Sequence, residues 1–149
     1  MVYRLYLETA PSENGIGWAF MFYNHQDFCV YKRCGKSVGQ TNEQVILEQS
    51  ATALSYFSNF MRKRYYDEHF ATILDEDYIT LFTEMPAIEE TAAHCTKEEA
   101  GAIGFVGENK DLWEAMIPFF TRPSMTFKTA TDEKFITAAK ELALQGLNK

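Results

Sequence analysis

Three histidines, three cysteines and a run of evenly spaced glycines are the first residues to weigh for chemistry. His25, His69 and His94 lie far apart, and none belongs to an H-x-x-x-H or H-E-x-x-H pattern. They do not form the paired ligands of one helix face that zinc sites use. Cys29, Cys34 and Cys95 are odd in number and contain no C-x-x-C pair, so a disulfide framework is not expected and a reducing, cytoplasmic setting is. Cys29 and Cys34 stand five apart on one expected strand, which would put them on opposite faces. Gly101, Gly104 and Gly107 could suggest a phosphate loop. Such a loop needs a strand before it and a helix N-terminus after it. A helical pattern precedes this one and no Gly-Lys-Ser/Thr follows, so it reads as a connector. Lys32, Arg33 and Lys36 form one basic group and Arg62-Lys63-Arg64 another. The second suits the C-terminal part of a helix, where cations complement the dipole.

These residues need a scaffold, and the composition supplies one. The chain has 149 residues, 46% of them hydrophobic and 15% aromatic. That is enough to bury one core and suits a single domain over residues 1–149. No apolar run approaches the roughly 20 residues of a membrane helix. The start, Met1-Val2-Tyr3-Arg4, lacks the pattern of a signal peptide. The formal charge of −7 disfavours approach to a phosphate backbone.

The hydrophobic pattern sets an element order. Val2 to Glu8, Ile16 to Tyr23 and Phe28 to Arg33 read as three strands joined by the turn clusters Pro11 to Gly15 and Asn24 to Asp27. Thr41 with Gln44 has the spacing of a capping box. A helix from about Asn42 to Met61 then carries Ile46, Ala53, Leu54, Phe57, Phe60 and Met61 as an apolar stripe. Phe70 to Leu74 reads as a strand reached by a crossover, hence parallel to the first. Asp75 to Met85 reads as a short helix stopped by Pro86. Further helical pieces follow to Ala100, with Thr96 and Glu99 as a second box. Asn109 caps a helix through Trp113 and Ile117 that Pro118 kinks or ends. Pro123 opens a strand, Ser124 to Lys128. Thr131 caps a last helix through Ala143, with Gly146 at its end. A meander followed by strands alternating with helices argues an α/β fold with a mixed sheet and helices on both faces.

This order resembles the ribonuclease H-like superfamily. Tyr6-Leu7-Glu8-Thr9-Ala10 is similar to that family's first-strand end, and Thr41-Asn42 to its polar helix entry. Ile73-Leu74-Asp75-Glu76-Asp77 resembles its fourth-strand end, Asn109 to Trp113 its late helix start, and Glu141-Leu142-Ala143 its last helix. The resemblance implies a five-stranded mixed sheet: a three-strand antiparallel meander plus two parallel strands, flanked by helices. It also implies four carboxylates around two Mg²⁺ or Mn²⁺ ions, because hard divalent ions want oxygen ligands and two stabilise both the attacking and leaving oxygens.

Carried over residue by residue, the metal ligands of an active member would be Glu8, Glu43 and Asp77, and its catalytic set those three with Asp132. Glu8 stands where the family has a shorter aspartate. Glu43 is chosen over Glu48 by helix phase: at roughly 100° per residue from Ile46, Glu43 falls at about 60°, toward the sheet, and Glu48 at about 200°. Its other role is that of a helix-dipole partner. Asp75 is the fallback for Asp77 and would otherwise cap the next helix. The fourth position aligns with Lys140, not an aspartate. Asp132 and Glu133 could substitute only with a shift in geometry. No histidine stands between Pro123 and Ala130. A lysine among carboxylates could neutralise an acid in a metal's place.

The expectation is therefore a ribonuclease H-like protein that has lost nuclease activity, needs no cofactor, and acts as a binding, adaptor or regulatory module. The alternative is a divergent Mg²⁺-dependent nuclease cleaving RNA or DNA. A protein partner is expected along the edge strand Phe28 to Arg33 or the Gly101 to Gly107 loop.

Overall fold

A computed structural model describes residues 2–69, 78–95, 105 and 107–149, with the side chains of 60–69 left aside. Three strands open it: β1 (Val2–Ser12), β2 (Gly15–Tyr23) and β3 (Cys29–Ser37). Helix α1 (Asn42–His69) follows, then β4 (Tyr78–Thr83), α2 (Pro86–His94), α3 (Lys110–Phe120), β5 (Met125–Thr129) and α4 (Glu133–Gly146). The strands form one sheet in the order β3-β2-β1-β4-β5. The pairs β1–β2 and β2–β3 are antiparallel, while β1–β4 and β4–β5 are parallel. This is the five-stranded mixed sheet that the element order implied.

Alternation along β1 divides the molecule. Tyr3, Leu5 and Leu7 enter a large core with Trp18, Phe20 and Phe22 of β2, Ile79 and Leu81 of β4, and Met125 and Phe127 of β5. Val45, Ile46, Leu47, Ala53, Leu54 and Phe57 of α1 close this face, helped by Ile88 of α2 and Met116, Phe119 and Phe120 of α3. On the other face Tyr6 packs with Met21, Tyr23 and, from α4, Phe135 and Ala139. Ala10 and Ala19 meet Ala143 further along the same helix.

Glycines set how closely α4 lies. A Cβ on Gly17 would fall 2.2 Å from the Ala143 carbonyl oxygen. One on Gly146 would fall 2.3 Å from that of Gly35. Backbone therefore rests on backbone, which only glycine permits.

The capping box of α1 forms in both directions. Gln44 N–H donates to Thr41 Oγ1 at 3.2 Å, and Thr41 N–H to Gln44 Oε1 at 2.9 Å. Ile46, Ala53, Leu54 and Phe57 are buried as the stripe required.

Other boundaries moved. The parallel partner of β1 is Tyr78–Thr83, a span expected to be helical, while Phe70 to Leu74 lies outside the described residues. The triad Asp75-Glu76-Asp77 suggested a helix start, but Tyr78-Ile79-Thr80-Leu81-Phe82-Thr83 is aromatic and β-branched, and buries alternate residues. Pro86 begins a helix instead of stopping one, since the first helical position needs no N–H. α4 is capped by Asp132, whose carboxylate accepts from Lys134 N–H, and not by Thr131. Gly146 is the last residue of α4, not the residue beyond it. A register shift at Phe22/Tyr23 puts Cys29 level with Tyr23 and Cys34 level with Ala19. Both cysteines thus share the α4 face, because a bulge breaks the alternation.

Candidate functional site

The C-terminal ends of two neighbouring parallel strands are where open α/β sheets gather ligand-binding groups. Here those strands are β1 and β4. Their register sets Tyr6 beside Phe82, so Glu84, just past β4, comes level with Glu8 two residues further along β1. Glu8 lies on the α4 face of β1, between Tyr6 and Ala10. It is 1% exposed, among the most deeply buried side chains described.

Burial and the neighbouring Glu84 charge push the Glu8 carboxyl up from 4.5 to about 7. Lys140 of α4 opposes that rise, and Glu133 adds to it. Glu8 Oε2 has no hydrogen-bond partner among the described residues. Glu84 is better held. The Thr9 hydroxyl donates to its Oε1, and Asn42 Nδ2 donates to the same oxygen at 3.4 Å. The Asn42 Oδ1 atom is buried and unpartnered. The site thus couples the ends of β1 and β4 to the start of α1, with a lysine of α4 as counter-charge.

The expected residues distribute unevenly. Glu8 is central. Glu43 is exposed in the first turn of α1, while Ile46, from which its phase was counted, is buried. The buried span of α1 begins at Val45, Ile46 and Leu47, so Glu43 stands in the turn before it. Glu48 is half-buried and accepts from Gln40 Nε2 at 2.8 Å. Asp77 and its fallback Asp75 lie outside the described residues. Asp132 is exposed and occupied as the α4 cap. Lys140 is exposed, yet close enough to act on Glu8. Glu84 was missed because its strand was read eight residues early. Once Tyr78–Thr83 is a strand, Glu84 closes an apolar run much as Glu8 does.

A pair of divalent ions requires more oxygen donors than this. Among the described residues, no group of three or more His, Cys, Asp or Glu side chains could hold a metal ion. The orphaned oxygens of Glu8 and Asn42 are hard donors, but among the described residues only Glu84 joins Glu8 there as a second carboxylate, fewer donors than two ions roughly 4 Å apart require.

No protein-family model matches the chain, and no curated protein sequence does. Solved structures do. LC11 ribonuclease H1 in complex with an RNA/DNA hybrid is 16% identical with a TM-score of 0.65, over 98% of this chain and 96% of that one. Ribonuclease H1 from the halophilic archaeon Halobacterium salinarum is 14% identical with a TM-score of 0.61, over 97% and 98%. The N-terminal ribonuclease H domain of rv2228c from Mycobacterium tuberculosis is 9% identical with a TM-score of 0.65, over 99% and 94%. The chain has the ribonuclease H-like fold. No described helix is long and apolar enough to cross a membrane.

Proposed function

We propose that this chain is a ribonuclease H-like binding module, working as an adaptor or regulator through its surface and not by two-metal hydrolysis. One observation carries the reading. Where the fold would gather four carboxylates, the described residues bring together Glu8 and Glu84, while Glu43 faces solvent and Asp132 caps a helix. Lys140 supplies the positive charge that a metal would otherwise provide beside Glu8. Such a module would sit in the cytoplasm as a single domain and need no cofactor.

A second reading, Mg²⁺- or Mn²⁺-dependent cleavage of RNA or DNA, draws on the unpartnered oxygens of Glu8 and Asn42. The hybrid bound by LC11 ribonuclease H1 suggests the substrate to try first. Labelled hybrid, duplex and single strands are incubated with each ion. The expected result is no cleavage above background. Cleavage abolished in both Glu8→Gln and Glu84→Gln, with folding intact, establishes the second reading instead.

A further inference from the structure

The sheet leaves β3 at one end of the strand order, with β2 on one side only. Among the described residues, no backbone–backbone hydrogen bond outside the β2–β3 ladder engages Val30 to Ser37, and the Tyr31 carbonyl accepts from Cys29 Sγ at 3.4 Å. A strand with one free edge is a template for another chain unless something blunts it. On β3 the exposed charges are Lys32, Arg33 and Lys36. No acidic residue occurs between Phe28 and Gln40, in a chain whose formal charge is −7. The nearest acid, Asp27, is already paired with Arg4.

The register places these cations on both faces. Lys32 and Lys36 stand level with Met21 and Gly17 on the α4 face, and Arg33 stands level with Phe20 on the other. Arg33 lies over the Trp18 ring, 5.8 Å from its centroid. At the start of the strand, Phe28 and Val30 are 65% and 45% exposed, large apolar groups beside an open edge.

We propose that the outer edge of β3 docks an acidic, extended peptide segment of a partner protein, added as a sixth strand. Free backbone N–H and C=O groups alternate along such an edge, and only a polypeptide satisfies both kinds. A second copy of this chain would set cations opposite cations, so self-pairing is disfavoured and an acidic partner selected. The register gives a partner pattern. In antiparallel addition, acids opposite Lys36, Arg33 and Lys32 fall at positions 1, 4 and 5 of the added strand. Apolar or β-branched residues between them suit the neighbouring strand positions. This deepens the reading of the chain as a binding module, but it does not depend on the carboxylate pair being inactive.

The test uses the full chain and a synthetic peptide containing Glu-Val-Thr-Glu-Glu, with binding read by fluorescence anisotropy and by amide shifts of β3. The pattern peptide is expected to bind and to shift the Val30 to Ser37 amides. The variant K32E/R33E/K36E should weaken binding about tenfold or more, and a milder K32Q/K36Q several-fold, with thermal unfolding showing both remain folded. N-methylation of alternate peptide amides should abolish binding in one of the two possible phases. Equal binding of a scrambled peptide, or indifference to N-methylation in both phases, overturns strand addition. Tighter binding of a single-stranded oligonucleotide at the same residues overturns the peptide assignment. Hydrolysis of hybrid would sink the function proposed above and leave this result standing, so the two failures are separable.

Discussion

The α1 face of the sheet and the part of the other face beneath the end of α4 are built from opposite kinds of residue. Under α1, α2 and α3 the sheet buries Tyr3, Leu5, Trp18, Phe20, Phe22 and Phe127, large side chains that hold the helices at a distance. Under the C-terminal half of α4 it offers Gly17, Ala19 and Gly35, and the helix answers with Ala143 and Gly146. The first region is stable through apolar area, the second through close approach. Close approach also dehydrates whatever polar group it covers, and that group is Glu8. The perturbed carboxyl and the small residues are thus one feature seen twice.

Substitutions can break this contrast. The largest loss is expected on the wide face. Leu54→Ala removes a fully buried side chain and should cost about 2–5 kcal/mol in urea denaturation. A cost under 1 kcal/mol would show that α1 does not carry this core.

Glu8→Gln should act in the opposite direction and depend on pH. The folded pKa of Glu8 lies above its unfolded value. Its contribution to stability is therefore complete below about 4.5 and lost as pH rises through about 7. At pH 8 the glutamine variant should be more stable than the wild type by about 2–3 kcal/mol. The gain should vanish below pH 4.5. A gain independent of pH would refute the ionisation account.

Gly146→Ala distinguishes the faces by sign. In an unobstructed helix, alanine is favoured over glycine by about 1 kcal/mol. Against the Gly35 backbone it should instead cost about 1–3 kcal/mol, checked by the thermal midpoint. The smallest effect is expected for Asp132→Ala, about 1 kcal/mol from loss of the α4 cap. A larger loss, or one that also moves the Glu8 titration, would mean that Asp132 belongs to the site.

The sequence made most of the scaffold legible where local chemistry decides. The meander, the Thr41–Gln44 box and the Ile46-to-Phe57 stripe depend on spacing within a few residues. The β4 boundary did not, because Phe70 to Leu74 and Tyr78 to Thr83 are both short apolar runs beside acids. Only pairing with β1 distinguishes them. The site suffered accordingly. Glu8 could be placed from its strand, but Glu84 is a site residue only once β4 ends at Thr83. Glu43 is a separate case: its phase falls between those of Ile46 and Leu47, yet it is exposed, because it stands in the first turn, before the buried span of α1 begins at Val45.

The contact between Gly35 and Gly146 seats the end of α4 on the sheet. Lys140 stands six residues back along the helix, about 9 Å from that point at 1.5 Å per residue. A lean of about 10° there would swing the base of its side chain by roughly 1.5 Å. That seat is on β3, an outer strand, while Lys140 is close enough for its charge to act on Glu8. The counter-charge of Glu8 thus rides on a helix seated at the rim of the sheet, two strands away from the acid it serves.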